Sequence, residues 1–114
     1  MSSVSEMLAI KAMDGLYMRA AAIAQNIANS NSPSYHMQTV DFEDALRQAA
    51  LGGPQTLAAF KPLMSRAVTA VAGGEVRLDL EMASASATSL RYAALSDILN
   101  RQMQLSRLVV RGGQ

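Results

Sequence analysis

Cysteine is absent from the 114 residues, and so is tryptophan. The first absence excludes disulfides, Cys-based metal sites and thiol catalysis, and leaves the redox compartment open. Aromatics amount to two Phe and three Tyr, so an apolar content of 50% rests on small or flexible side chains, with twenty Ala and eight Met. A large core is hard to build from that set, and association is expected to complete the burial. Charge is sparse as well. At 17% charged residues and a formal +1, below the roughly 25% of an average domain, the chain presents no strong field toward nucleic acid. The single histidine, His36, has no second His or Cys to share a metal and no nucleophile to activate, and reads as a loop residue.

A long apolar run is also lacking. Residues 20–40 form the longest uncharged stretch, but three Asn, two Gln, three Ser and Pro33 fall within it, which rules it out as a membrane span. Glu6 lies among the first ten residues, with no Lys or Arg and no signal-length apolar segment. A cleaved export signal is therefore not expected.

What is present is helical periodicity. Ser3-Val4-Ser5-Glu6 has the form of a capping box, in which hydroxyl and carboxylate satisfy two otherwise unpaired helix donors, so a helix is expected to begin near Val4. Ala9, Met13, Leu16, Ala20, Ile23 and Ile27 then recur at spacings of four and three, the seam of a supercoiled helix. Gly15 interrupts it at a cost of about 1 kcal/mol relative to Ala, which either weakens the helix there or marks a close approach by another chain. Asn29, Ser30 and Asn31 ahead of Pro33 stop the helix, because proline pushes Ser32 out of the α region. A second, short helix is expected over residues 42–51, with Asp41 and Asp44 at its start and Gly52-Gly53-Pro54 at its end.

Glycine and proline punctuate residues 52–79, which read as an extended or mobile linker with a short strand near residues 68–71. A second long helix is expected from about Asp79 to Val110, with Leu90, Leu95, Ile98, Leu105 and Val109 on its apolar side and Arg101, Arg107 and Arg111 toward its C-terminus. The fold class is all-α. Two long terminal helices form an antiparallel coiled-coil-like hairpin, residues 1–51 and 80–114 make one structural unit, and 52–79 link them.

Asp41, Glu43 and Asp44 admit a cation or a carboxylate pair on paper, but three acids in a first helical turn are what the macrodipole favours. The arginines of the last helix are dispersed, offset by Asp97 and free of interleaved aromatics, and read as a solvated or inter-subunit face. The methionines at 7, 13, 18, 37, 64, 82 and 103 are adaptable filler at protein contacts. No acid, base and nucleophile form a constellation, so no enzyme, cofactor or small-molecule substrate is expected.

The most specific stretch is Asn26-Ile27-Ala28-Asn29, running through Ser32-Pro33-Ser34-Tyr35 to Val40-Asp41-Phe42-Glu43 and Leu46. It resembles the N-terminal signature of bacterial flagellar axial proteins, the rod, hook and hook-associated subunits. There a helix ending in Asn-Ile-Ala-Asn enters a Thr-Pro-Gly-Tyr turn. The pattern has a physical sense, since amides at i and i+3 can satisfy terminal carbonyls and the returning loop while proline fixes the turn and tyrosine anchors it. Ser32 replaces the usual Thr and keeps its hydroxyl; Ser34 replaces the usual Gly and loses its ready access to positive φ. Residues 76–82, Leu90-Arg91-Tyr92-Ala93-Ala94-Leu95 and the closing Arg111-Gly112-Gly113 resemble the short proximal rod subunits of that family, although Arg77 and Gly73-Gly74-Glu75 depart from the usual pattern. The resemblance implies a non-catalytic subunit of the basal-body rod, on the periplasmic side. Such subunits leave the cytoplasm through the flagellar type III apparatus without a cleaved signal and polymerise through their terminal helices. Implied partners are the rod adaptor FliE, the next rod subunit FlgC, export-gate and MS-ring components, and copies of the chain itself. It also implies that Phe42 and Leu46 form the export-gate recognition pair, although at i and i+4 they are equally a packing pair. A cytoplasmic helical adaptor or export chaperone is the rival class.

Overall fold

The 26 residues of α1 (Ser3–Ala28) make a rod of about 39 Å, against which the later helices pack. The computed structural model describes residues 3–67 and 76–112. After α1 come β1 (Gln38–Thr39), α2 (Glu43–Leu51), α3 (Pro54–Ala59), β2 (Ser65–Arg66) and α4 (Leu78–Gly112). The Ser3 side chain of the capping-box reading and the strand expected at residues 68–71 lie outside the described structure. The fold is mostly helical, with two long terminal helices and short elements between them.

α1 and α4 are antiparallel. Asn26, near the end of α1, bonds Glu81, near the start of α4, while Leu8 and Ala12 share a groove with Ala94 and Leu95. With that register, the 35 residues of α4 run about two turns, or about 12 Å, past the start of α1. Burial along one face of α4 shows the consequence. Glu81, Thr88, Leu95, Gln102 and Val109 are seven apart and share that face; Glu81 and Thr88 are buried, Leu95 and Gln102 are half-buried, and Val109 is 74% exposed. The face continues after its partner has ended.

The core sits where α1 meets the chain that returns after it. Leu16, Ala22, Val40, Phe42, Leu46 and Leu57 form one buried cluster, with Met7, Ala12, Met18 and Leu95 packed around it. Val40 and Phe42 come from the chain returning after α1, and β1 pairs antiparallel with β2, Gln38 opposite Arg66 and Thr39 opposite Ser65. α1 must therefore face both α4 and this returning layer, which turns its inner arc away from the expected seam. Leu16 and Ile23 are buried, but Met13 and Ile27 are only half-buried, Ala20 is exposed, and Ala22 and Asn26 occupy the interior instead.

Gly15 is a close approach of a different kind from the one expected. A Cβ there would stand 2.5 Å from Cγ of Phe42, so the glycine accommodates this chain's own ring rather than another subunit. The linker assignment for residues 52–79 also needs correction. Pro54 does not merely end α2; it occupies the first turn of α3, where a missing N–H costs nothing. Gly53 takes φ 103° to turn the corner, a conformation only glycine adopts freely. Leu57 of α3 is fully buried, and that burial holds the short helix in place.

Candidate functional site

The signature stretch folds into one polar junction centred on Asn26, which is 1% exposed. Its Nδ2 donates to the Gln38 carbonyl at 2.9 Å and to Glu81 Oε2 at 3.0 Å. Its Oδ1 accepts from the Tyr35 hydroxyl at 2.7 Å and the Gln38 N–H at 2.8 Å. A side-chain amide offers two donors and two acceptor positions, and all four are used. One residue thus ties together the end of α1, the returning loop, β1 and the first turn of α4. Asn29, a turn later, donates to the Gln25 carbonyl at 2.9 Å and satisfies a helix terminus.

The turn between Asn29 and Tyr35 is made without left-handed residues. Ser32 donates its N–H to the Asn29 carbonyl at 3.0 Å and Tyr35 to that of Ser32 at 3.2 Å, and no non-glycine residue among those described has positive φ. Ser34 therefore sits where glycine's freedom is not used. Ser32, Pro33 and Ala28 are exposed around the junction rather than within it. Partial burial, and then the negative charge of Glu81, raise the pKa of the Tyr35 phenol above its ordinary value, which keeps it a donor to Asn26.

A second junction lies at Arg19, half-way along α1. Its Nε and Nη2 donate to the Val40 carbonyl at 3.0 and 2.7 Å, and its Nη1 and Nη2 grip the Glu43 carboxylate at 3.0 and 2.6 Å. Its guanidinium lies 4.8 Å from the centre of the Phe42 ring. Phe42 is therefore held from both sides, by Gly15 below and Arg19 above. The Arg19 hydrogen bonds hold the Glu43 carboxyl below the usual glutamate range. Because that pKa is depressed in the folded chain, the stability it contributes is present above the unfolded value of about 4.3 and is lost as pH falls through the folded one. Glu43 is 50% exposed, so solvent screening limits the contribution to less than about 1 kcal/mol. Thermal melts of the parent and Glu43→Gln should therefore converge progressively as pH falls below about 4.3.

Phe42 and Leu46 are 3% and 6% exposed. As folded they are a packing pair, presented to nothing outside the chain. His36 is exposed, and its carbonyl accepts from Gln38 Nε2. Asp44 pairs with Arg47, and no group of three or more His, Cys, Asp or Glu among the described residues could hold a metal ion.

The surface left over is apolar and helical. On α4, Leu90 is 72% exposed, Ile98 48%, Leu105 58% and Val109 74%. Two troughs flank the α1–α4 contact. One, of about 620 Å³, lies between α1, α2 and α4; the other, of about 510 Å³, has a floor of Ala20, Ala24, Ala85 and Ala93 between Tyr17 and Tyr92. No family model matches the chain, and no curated protein matches it either.

Sequence reasoning overlooked Arg19 and Glu81. Arg19 stands out in the sequence only as a residue off the expected seam, and Glu81 is an ordinary charged residue in a polar, alanine-rich stretch. The one local signal for Glu81 is that it stands seven residues before Thr88 on the α4 face.

Proposed function

We propose that this chain is a structural subunit of the bacterial flagellar basal-body rod, of the FlgB type, polymerising through its terminal helices as a substrate of the type III export route. The observation that carries the reading is the Asn26 junction. Two of the residues that resemble the axial-protein signature, Asn26 and Tyr35, meet there, and Asn26 links the end of α1 to the first turn of α4. The uncovered end of α4 supports it, because a helix that outlasts its partner by two turns with Leu105 and Val109 exposed gains most by joining a neighbour. On this reading the chain catalyses no reaction. The partners on this reading are FlgC-like and FliE-like rod components, the MS ring and export gate, and copies of the chain, in flagellum-dependent motility. Recognition of Phe42 and Leu46 by the gate requires the chain to arrive unfolded, since both are buried once it folds.

The alternative, a cytoplasmic helical adaptor or export chaperone, draws on the trough between α2 and α4. The two readings part at the end of α4. In the bacterium that carries the gene, Leu105→Asp with Val109→Asp is expected to abolish motility and rod growth while leaving secretion and the melting temperature of the isolated chain unchanged, because neither side chain contacts the core. Normal swimming by that strain would count against the rod reading, and a chain retained in the cytoplasm of motile cells would favour the adaptor.

A further inference from the structure

We propose that the trough between α1, α2 and α4 is a docking groove for an amphipathic helix of another protein, one that carries carboxylates beside its apolar stripe. Leu8, Ala12, Leu46, Ala50, Ala94 and Leu95 line it, so its walls are alkyl and, at three of the six positions, only a methyl group deep. Small walls let a helix axis approach to the 8–10 Å at which helices pack. Along α1 the trough runs from Leu8 to Leu16, about 12 Å or two helical turns, the span of an i, i+3, i+4, i+7 stripe. It is open to solvent along its length, unlike the enclosed cavities that bury a small ligand. Three helices, α1, α2 and α4, contribute its walls.

Charge selects the occupant. Three charged residues reach the rim: Glu43, Arg47 and Arg91. Glu43 is already held by Arg19. Among the described residues Arg47 pairs only with Asp44, an exposed contact that contributes little and exchanges readily. Arg91 has no ion-pair partner among the described residues. The rim is thus cationic toward an incoming helix. The protruding end of α4 from a second copy, with Arg107 and Arg111, meets like charge there and is disfavoured. A helix of the required chemistry can seat here whether or not the chain builds a rod.

The test uses the full chain and two labelled synthetic helical peptides. They share leucines at i, i+3, i+4 and i+7, and differ only in flanking glutamates or flanking lysines. The glutamate peptide is expected to bind, more weakly as salt rises, and the lysine peptide about fivefold or more weakly. Arg91→Glu should reverse that preference, and Ala94→Trp, at an exposed position, should abolish binding of both while leaving the circular dichroism spectrum and melting temperature unchanged. Equal affinity for the two peptides, binding of neither, or indifference to Ala94→Trp overturns the proposal. So does a concentration-dependent dimer that Ala94→Trp dissolves, since the occupant would then be a second copy. None of these results touches the Leu105 and Val109 motility test, so failure of the groove and failure of the rod reading are distinguishable.

Discussion

Phe42→Ala is expected to lower the unfolding free energy of the isolated chain by about 3–5 kcal/mol, a large share of the 5–15 kcal/mol typical of a domain. The ring is 3% exposed, in a cluster with Leu16, Val40, Leu46 and Leu57, and three separate arrangements are built around it. Gly15 has given up its Cβ to make room for the ring, Arg19 stacks above it, and the N-terminus of α2 begins at its backbone. Truncation leaves a cavity that Gly15 cannot fill and that two rigid helices cannot close. Urea denaturation followed by circular dichroism should show a lower midpoint at unchanged slope, the sign of lost stability rather than an altered end state. Phe42→Leu should cost less than about 1.5 kcal/mol. The same variants test export. A subunit that travels unfolded is not hindered by lost stability, so a fall in secreted Phe42→Ala would report recognition of the side chain, and unchanged secretion would remove the gate role.

Asn26→Ala is expected to cost about 3 kcal/mol or more, and for a different reason. Nothing large is lost from the core; instead four groups lose their partner at once. The Gln38 N–H and carbonyl, the Tyr35 hydroxyl and the Glu81 carboxylate all bond Asn26, and an unsatisfied buried polar group costs about 1–3 kcal/mol, more when charged. Water reaching the half-buried Tyr35 and Gln38 limits the sum. Asn26→Asp keeps the shape but removes both donors and sets a second carboxylate against Glu81, so it should destabilise at least as much at neutral pH. Thermal melts of the two variants against the parent provide the check. A loss within about 0.5 kcal/mol of zero would mean that the junction is not what joins α4 to the rest.

The long elements were legible because their signals are local. Alternating spacings of four and three run through α1, residues 42–51 are bounded by acids and by Gly52-Gly53, and the apolar positions of α4 recur from Leu90 to Val109. Asn26, Asn29 and Tyr35 were legible as a turn motif, since their partners lie within twelve residues; Glu81, which closes the junction, lies 55 residues away, and only the fold brings it near. The same distance effect hid Arg19, whose partners Val40 and Glu43 are 21 and 24 residues on, and misassigned Gly15, whose close neighbour is an aromatic ring 27 positions later. α3 was missed through punctuation. Gly53-Pro54 is at once a stop signal for α2 and a start signal for α3, and the buried Leu57 that decides between them has no periodic companion in six residues. The expected seam of α1 was nearly right in period but displaced in phase. A periodicity derived from apolar residues alone cannot know that two polar side chains, Arg19 and Asn26, would turn inward because the returning loop satisfies them.

On the rod reading, α4's uncovered end is completed by a neighbouring subunit. A density map of the intact flagellar basal body from the bacterium that carries this gene tests that most directly. Helices matching α1 and α4 are expected in the wall of the proximal rod, with Leu105 and Val109 buried against an adjacent subunit and the Asn26 junction intact. A map in which every proximal rod position is filled by other chains, or in which this chain is present with residues 104–112 facing open solvent, would contradict it.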